Sequence, residues 1–170
     1  MLLSDLLLMS KDKYPVTQAI RELKTKNISF IPFLFNYEEK GGTAHTARVL
    51  NVPEHPVIKT LVMEEDSGNG LIVLMHGDME VSTKELARFL NVKNVKTCSA
   101  EKAFRLTRYE FGGTSPFGTK EKLPIYVEST IFDLEKIYIN GGKRGFIIQI
   151  TANDLIKVLK PVEVKVGIPK

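Results

Sequence analysis

The chain has 170 residues, 43% hydrophobic and 26% charged, so it is long enough to bury one core without disulfides or metals and too ordinary in composition for a disordered or collagenous protein. Twenty-four basic against twenty acidic residues leave a net charge of +4, which permits a nucleic-acid partner without requiring one. A single cysteine, Cys98, excludes an intrachain disulfide and a thiolate metal cluster.

The first residues, Met1 to Met9, are leucine-rich but carry Asp5, no basic start and no small-residue cleavage site, which argues against a signal peptide. No stretch reaches the roughly 20 apolar residues of a membrane span. Residues 1–14 are read as a short extension, residues 15–170 as one domain, and the cytoplasm as the compartment expected without an export signal.

A helix is expected from Tyr14 to Asn27, with Pro15 in its first turn and Val16, Ala19, Ile20 and Leu23 on one face. Ile28 to Phe35 reads as a strand, with Pro32 marking an edge or bend. After Gly41-Gly42, Thr43 to Leu50 fits a short helix with Ala44, Ala47 and Leu50 inward. Val57 to Met63 and Leu71 to His76 are strands joined by a flexible hairpin. Ser82-x-x-Glu85 is a capping box for a helix through Leu90, and Ser99 to Thr107 reads as another. Ile125 to Glu128, Lys136 to Ile139 and Phe146 to Ile150 are strands, Thr151-x-x-Asp154 caps a helix through Leu159, and Val162 to Val166 closes as a strand. About seven strands with four or five short helices, without strict β-α-β alternation, predict a mixed α/β (α+β) domain rather than a doubly wound parallel sheet.

Three places hold candidate chemistry. Lys59 lies in Val57-Ile58-Lys59-Thr60-Leu61-Val62-Met63, where alternation sets it on a face with Val57, Leu61 and Met63. A lysine there either snorkels at a strand end or aims its ammonium at an anionic or carbonyl group. Gly112 to Gly118 is too glycine-rich for a regular element and can bring backbone N–H groups close to a ligand, or simply turn. It is neither a Walker A loop, since Thr119-Lys120 is reversed and Pro116 lacks an N–H, nor a nucleophile elbow, since Gly113-Thr114-Ser115-Pro116-Phe117 ends without glycine. Asn140 to Gly145 lacks the dinucleotide-binding glycine spacing; Lys143 and Arg144 either touch phosphate or are solvated at a hairpin tip. His45, His55 and His76 are not spaced as metal ligands and are read as surface or partly packed side chains.

Taken in order, "VIKTLV", "GGTSPFG", "IYINGGKRG" and the helix "TANDLIKVL" resemble the YbaK/prolyl-tRNA-editing family over roughly Pro15 to Val166. The resemblance implies a compact fold with a central barrel-like mixed sheet and peripheral short helices, and a pocket for an aminoacyl-adenosine end. It also implies deacylation of a mischarged tRNA, commonly tRNA(Pro), with no metal or cofactor. The family's lysine falls on Lys59 and its Gly-x-x-x-Pro loop on Gly112 and Pro116. Catalytic roles are therefore expected for Lys59, Gly112, Gly113 and Ser115. Substrate contacts are expected for Phe30, Phe35, Tyr37, Thr114, Pro116, Asn140, Gly141, Gly142, Lys143 and Arg144. The chain departs from the pattern at Asn140, where relatives often have serine, and at Thr107-Arg108-Tyr109, where they often have Thr-Gly-Tyr; the pocket tyrosine matches either Tyr37 or Phe35.

With no evident Ser–His or Cys–His pair, the expected route avoids an acyl-enzyme, and backbone N–H groups of Gly112 to Ser115 would stabilise the developing oxyanion. Lys102, Arg105, Arg108, Lys120, Lys122, Lys143 and Arg144 are candidates for tRNA phosphates, and a prolyl-tRNA synthetase is a candidate partner. The alternative function is a binding module of the same fold that docks on tRNA or a synthetase without turnover.

Overall fold

A computed structural model describes residues 13–170 and a two-residue strand at Leu6–Leu7; the rest of the expected N-terminal extension lies outside the described residues. The elements in order are β1 (Leu6–Leu7), α1 (Gln18–Thr25), β2 (Ile31–Phe35), α2 (Gly42–Leu50), β3 (Val57–Glu65), β4 (Gly70–His76), β5 (Met79–Val81), α3 (Thr83–Leu90), β6 (Val95–Thr97), α4 (Ala100–Thr107) and β7 (Ile125–Glu128). A 3-10 turn (Ser129–Asp133), β8 (Lys136–Lys143), β9 (Phe146–Thr151), α5 (Ala152–Leu159), β10 (Val162–Val164) and β11 (Gly167–Pro169) follow. No helix among them is long and apolar enough to cross a membrane.

The expected mixed sheet is present, with nine strands in the order β1-β2-β9-β8-β3-β4-β7-β10 and β6 added beside β3. The β8–β3, β4–β7 and β7–β10 pairs are parallel and the rest antiparallel. A separate two-stranded ribbon pairs β5 with β11. Strand β4 is buried on both faces. Ile72 and Leu74 join the helices α1 and α5 in one core, while Leu71, Val73 and Met75 pack with α3 in a second. A third, smaller cluster seats Ala47 and Val49 of α2 on Phe35, Val57 and Ile147. Each fully buried side chain of this size stabilises the fold by about 1.5–3 kcal/mol.

Local signals set most helix starts. The hydroxyls of Ser82, Ser99 and Thr151 accept hydrogen bonds from the N–H groups of Glu85, Lys102 and Asp154, which satisfies one orphan donor in each first turn. The first helix begins later than expected: Thr17 caps it, accepting from the N–H of Ile20, so Pro15 lies ahead of its first turn and Val16 is left outside and exposed. In α2 Ala47 is buried and Leu50 packs on the same cluster as expected, Thr46 and Val49 are buried as well, and Ala44 is only half-buried. Pro32 pairs with Ile148 of β9, and among the described residues β1 meets β2 only at Leu34 and Phe35. The strands β5, β6 and β11 were not foreseen: each is three residues long and pairs far along the sequence.

His76 is fully buried, not partly packed, and its ring stacks on His55 with centroids 3.7 Å apart. Its Nδ1–H donates to the His55 carbonyl at 2.9 Å, which leaves Nε2 to accept from the Thr130 hydroxyl at 2.7 Å. The neutral ring is thus fully satisfied. Burial first, and the His55 charge after it, hold its pKa below the ordinary value of about 6.5 against the opposing pull of the His55 carbonyl, Asp78 and Glu128. A pKa depressed on folding means that the unfolded chain binds the proton more readily. The stability this contributes is present above about pH 6.5 and lost as pH falls through the folded value. The thermal midpoint is expected to drop as pH falls below about 6.5, and NMR of the His76 ring should show titration below 6.5; a ring titrating above that value would contradict the assignment.

Candidate active site

Strand β3 pairs with β8 at only two positions, Val57 with Tyr138 and Ile58 with Ile139, and with β6 only from Met63 onward. Between them, Lys59 to Leu61 have β4 on one side and no strand on the other. A cleft of about 430 Å3 opens there. Its floor is Val57 to Leu61. Phe35 at the end of β2, Tyr37 just past it, Thr43 and Thr46 of α2, and Phe111, Gly112, Thr114 and Asn140 also line it.

Lys59 shares its face with Leu61 and Met63, as alternation requires, and its ammonium donates to the carbonyl of Met79 in β5. Burial, then the Lys170 charge, lower its pKa, while Glu80, Glu54 and Asp78 pull it back up. An ammonium has three donors, so one bond to Met79 leaves others for a ligand. The next residue, Thr60, turns to the opposite face of the strand, where its buried hydroxyl has no hydrogen-bond partner among the described residues.

The two glycine segments are in direct contact. Gly141 and Gly142 form a bulge in β8, where Asn140 pairs with Ile147 but Lys143 with Phe146. The Asn140 amide bridges the segments: its Oδ1 accepts from the N–H groups of Gly142 at 2.7 Å and Lys143 at 3.2 Å, and its Nδ2 donates to the Gly112 carbonyl at 3.1 Å. A β-carbon on Gly113 would sit 2.8 Å from the backbone nitrogen of Arg144. One on Gly112, whose φ is +86°, would strike the Tyr37 hydroxyl. Arg144 seals the lip: its Nε donates to the Phe111 carbonyl at 2.8 Å and its guanidinium lies 5.1 Å from the Tyr37 ring centre.

The expected site residues therefore divide. Lys59, Phe35, Tyr37, Gly112, Thr114 and Asn140 line the cleft. Gly113, Gly141 and Gly142 stand behind them where the two loops touch, while Lys143 and Arg144 are exposed at the turn. Both candidates for the pocket aromatic are present: Phe35 is buried and meets His45 edge-on, while Tyr37 presents its hydroxyl at Gly112. Phe30 does not reach the cleft and packs edge-on against Tyr14 in the main core. Ser115 is fully buried, its hydroxyl accepting from the Phe117 N–H at 3.3 Å, and Pro116 is buried beside it, so this half of the loop is structural. It is held to α1 where the Gly118 N–H donates to the Glu22 carboxylate. The run of N–H donors is also shorter than expected, because Gly113 gives its hydrogen to the Glu110 carbonyl at 2.8 Å. Gly112 and Thr114 have no acceptor among the described residues. Cys98 is no nucleophile: burial and a hydrogen bond with Glu64 push its thiol up to about 11.

Sequence reading missed Glu38, Thr43, His45 and Thr46, which also line the cleft. Thr43 is fixed by Glu54 at 2.8 Å and His45 by Glu38 at 2.8 Å. Their one legible signal was the Gly41-Gly42 break, which starts α2 at the cleft without a side-chain cap.

Residues 38–158, most of the chain, match the model of the aminoacyl-tRNA editing domain, and the chain belongs to that YbaK-like family. It is 24% identical over 143 residues to an Enterococcus faecalis protein described as "Putative Cys-tRNA(Pro)/Cys-tRNA(Cys) deacylase EbsC", covering 84% of this chain and 87% of that one. It is also 22% identical over 144 residues to the proline–tRNA ligase of Listeria innocua, covering 85% of this chain but 23% of the ligase. The fold matches a solved structure described as "a putative trans-editing enzyme for prolyl tRNA synthetase", with a TM-score of 0.78, 16% identity and coverage of 89% and 95%. A hypothetical protein, APE2540, matches with a TM-score of 0.82, 19% identity and coverage of 89% and 100%.

Replacing Asn140 by Ala would strand two backbone donors and one carbonyl at the loop junction. The expected cost is about 1–3 kcal/mol, read as a fall in the denaturant midpoint with an unchanged slope. An unchanged midpoint would show that the loops do not depend on that amide.

Proposed function

We propose that this chain is an aminoacyl-tRNA deacylase that hydrolyses the ester of a mischarged tRNA, with Cys-tRNA(Pro) the first candidate and tRNA(Pro) the cognate nucleic acid. The observation that carries the reading is the convergence of Lys59, the unpaired N–H groups of Gly112 and Thr114, and Tyr37 on one cleft in a chain of the editing family.

The chemistry follows from these groups. Attack on the ester carbonyl puts negative charge on its oxygen, and fixed N–H donors beside that oxygen stabilise the charge without reorganising. Gly112 and Thr114 supply such donors, on a loop that Asn140 and Arg144 hold rigid. Lys59 keeps donors free to polarise the carbonyl or to anchor the terminal ribose or phosphate. No protein nucleophile is needed. Water adds to the carbonyl carbon, the bond to the ribose oxygen breaks, and free amino acid and tRNA leave; with a cysteinyl ester, the substrate thiol takes the place of water and departs as a thiolactone. The rest of the rate enhancement comes from orientation within the cleft.

The test is single-turnover deacylation of Cys-tRNA(Pro), Ala-tRNA(Pro) and Pro-tRNA(Pro) by wild type and by Lys59→Ala. Wild type is expected to hydrolyse a mischarged ester and spare Pro-tRNA(Pro). Lys59→Ala should lose on the order of 10²–10³-fold in rate at an unchanged thermal midpoint. Folded wild type that hydrolyses none of the three would favour a binding module on tRNA or a prolyl-tRNA synthetase.

A further inference from the structure

The surface that leads away from the cleft differs from the rest of the molecule in charge and in exposed aromatic area. Between Ala100 and Lys122 lie Lys102, Arg105, Arg108, Lys120 and Lys122 against Glu101, Glu110 and Glu121, and the neighbouring turn adds Lys143 and Arg144. Seven cations against three acids leave an excess of four, the whole net charge of the chain, so the remaining residues are balanced, seventeen of each sign. These segments also meet in space. The N–H groups of Lys120 and Glu121 donate to the carbonyls of Thr107 and Leu106 at the end of α4, and Arg144 is bonded to Phe111. Lys102 is paired with Glu64, and Arg144 lies 3.8 Å from Glu110; Arg105, Arg108, Lys120, Lys122 and Lys143 have no ion-pair partner among the described residues.

Two large aromatic side chains are exposed on these same segments. Phe104 is 42% exposed on α4, with the Arg108 guanidinium 5.7 Å from its ring centre. Phe111 is 68% exposed at the lip of the cleft, three residues past Arg108 and so within about 10 Å of chain. Its backbone is fixed by Arg144 while its ring remains in water. Neither ring adds its area to a core. The other exposed apolar side chains lack this setting: Phe89, for example, lies beside Glu85 and Glu163 as well as Arg88. Unpaired cations interleaved with open aromatic faces suit a strand of nucleic acid whose bases are free to stack, and a base-paired helix offers no such faces.

We infer that this surface, from α4 through Phe111 to the Lys143–Arg144 turn, is the track for the unpaired 3′ end of a nucleic acid, with bases stacking on Phe104 and Phe111 before the terminal residue enters the cleft. The inference rests on the deacylase reading for the direction of travel, and on charge and exposed rings for the ligand. It assigns to Phe111 the role of a base-stacking group at the entrance, and to Arg105, Arg108 and Lys122 contacts with the backbone phosphates.

The experiment is fluorescence anisotropy with a labelled single-stranded RNA of about eight nucleotides ending in CCA, and with a blunt RNA duplex of equal length. Wild type is expected to bind the single strand more tightly. Phe104→Ala and Phe111→Ala should each weaken it about tenfold, with Phe111→Tyr restoring it and thermal midpoints unchanged. Arg108→Gln combined with Lys122→Gln should lower the slope of log affinity against log salt by about 1.4. Equal binding of strand and duplex, with both alanine variants behaving as wild type, overturns the inference. So does a loss of deacylation in those variants seen only when a prolyl-tRNA synthetase is added, which would make the surface a protein-docking face. Oligonucleotide binding with these sensitivities but no turnover of any aminoacyl-tRNA would sink the deacylase reading and leave the track standing. Turnover with a KM indifferent to both phenylalanines would do the reverse.

Discussion

The cleft exists because β3 and β8 separate after two residue pairs. Had the parallel ladder continued, Lys59 to Leu61 would lie in the middle of a sheet, and a lysine there would be buried without solvent or ligand. The strands diverge because each is committed elsewhere. From Met63, β3 turns to β6, and past Asn140, β8 bends through its bulge to meet the loop at Gly112. Lys59 sits where both commitments have left the ladder open.

The glycines follow from that bend. Two backbone segments, 112–113 and 141–145, cross at closer than side-chain distance, and each glycine removes a β-carbon that would strike a neighbour. The obstacles are Tyr37 at Gly112, the Arg144 nitrogen at Gly113, the Phe146 ring at Gly141, and the Phe35 carbonyl at Gly145. Packing this tight fixes the loop backbone, in which the N–H groups of Gly112 and Thr114 have no acceptor among the described residues. Asn140 completes the junction. Its amide both accepts and donates, so it can join two loops at once, which a serine hydroxyl does with one donor fewer.

Charge is arranged around the same opening. The environment of Lys59 is mixed: the Met79 carbonyl and the acids Glu54, Asp78 and Glu80 face it, while Lys170, bonded to Glu54, opposes them. The ribbon of β5 and β11 carries both Met79 and the approach to Lys170, so a device that looks peripheral sets the electrostatics of the cleft floor. The buried Glu128 carboxylate holds that ribbon by accepting from the N–H groups of Val166 and Gly167.

The sequence by itself determined most of the local structure and the positions of the chemistry. Capping hydroxyls at Ser82, Ser99 and Thr151, the apolar runs of β3, β4 and β9, and the lysine and two glycine segments are all readable because they depend on neighbours a few residues away. Tertiary structure alone decided which of those residues face the cleft. Ser115 and Phe30 turn into the core, Gly113 gives its N–H to Glu110, and Thr43 and His45 arrive from a helix with no motif of its own. The short strands β5, β6 and β11 were equally illegible. Three residues carry too little pattern to announce a strand, and their partners lie 30 to 90 residues away, so only the assembled sheet could reveal them.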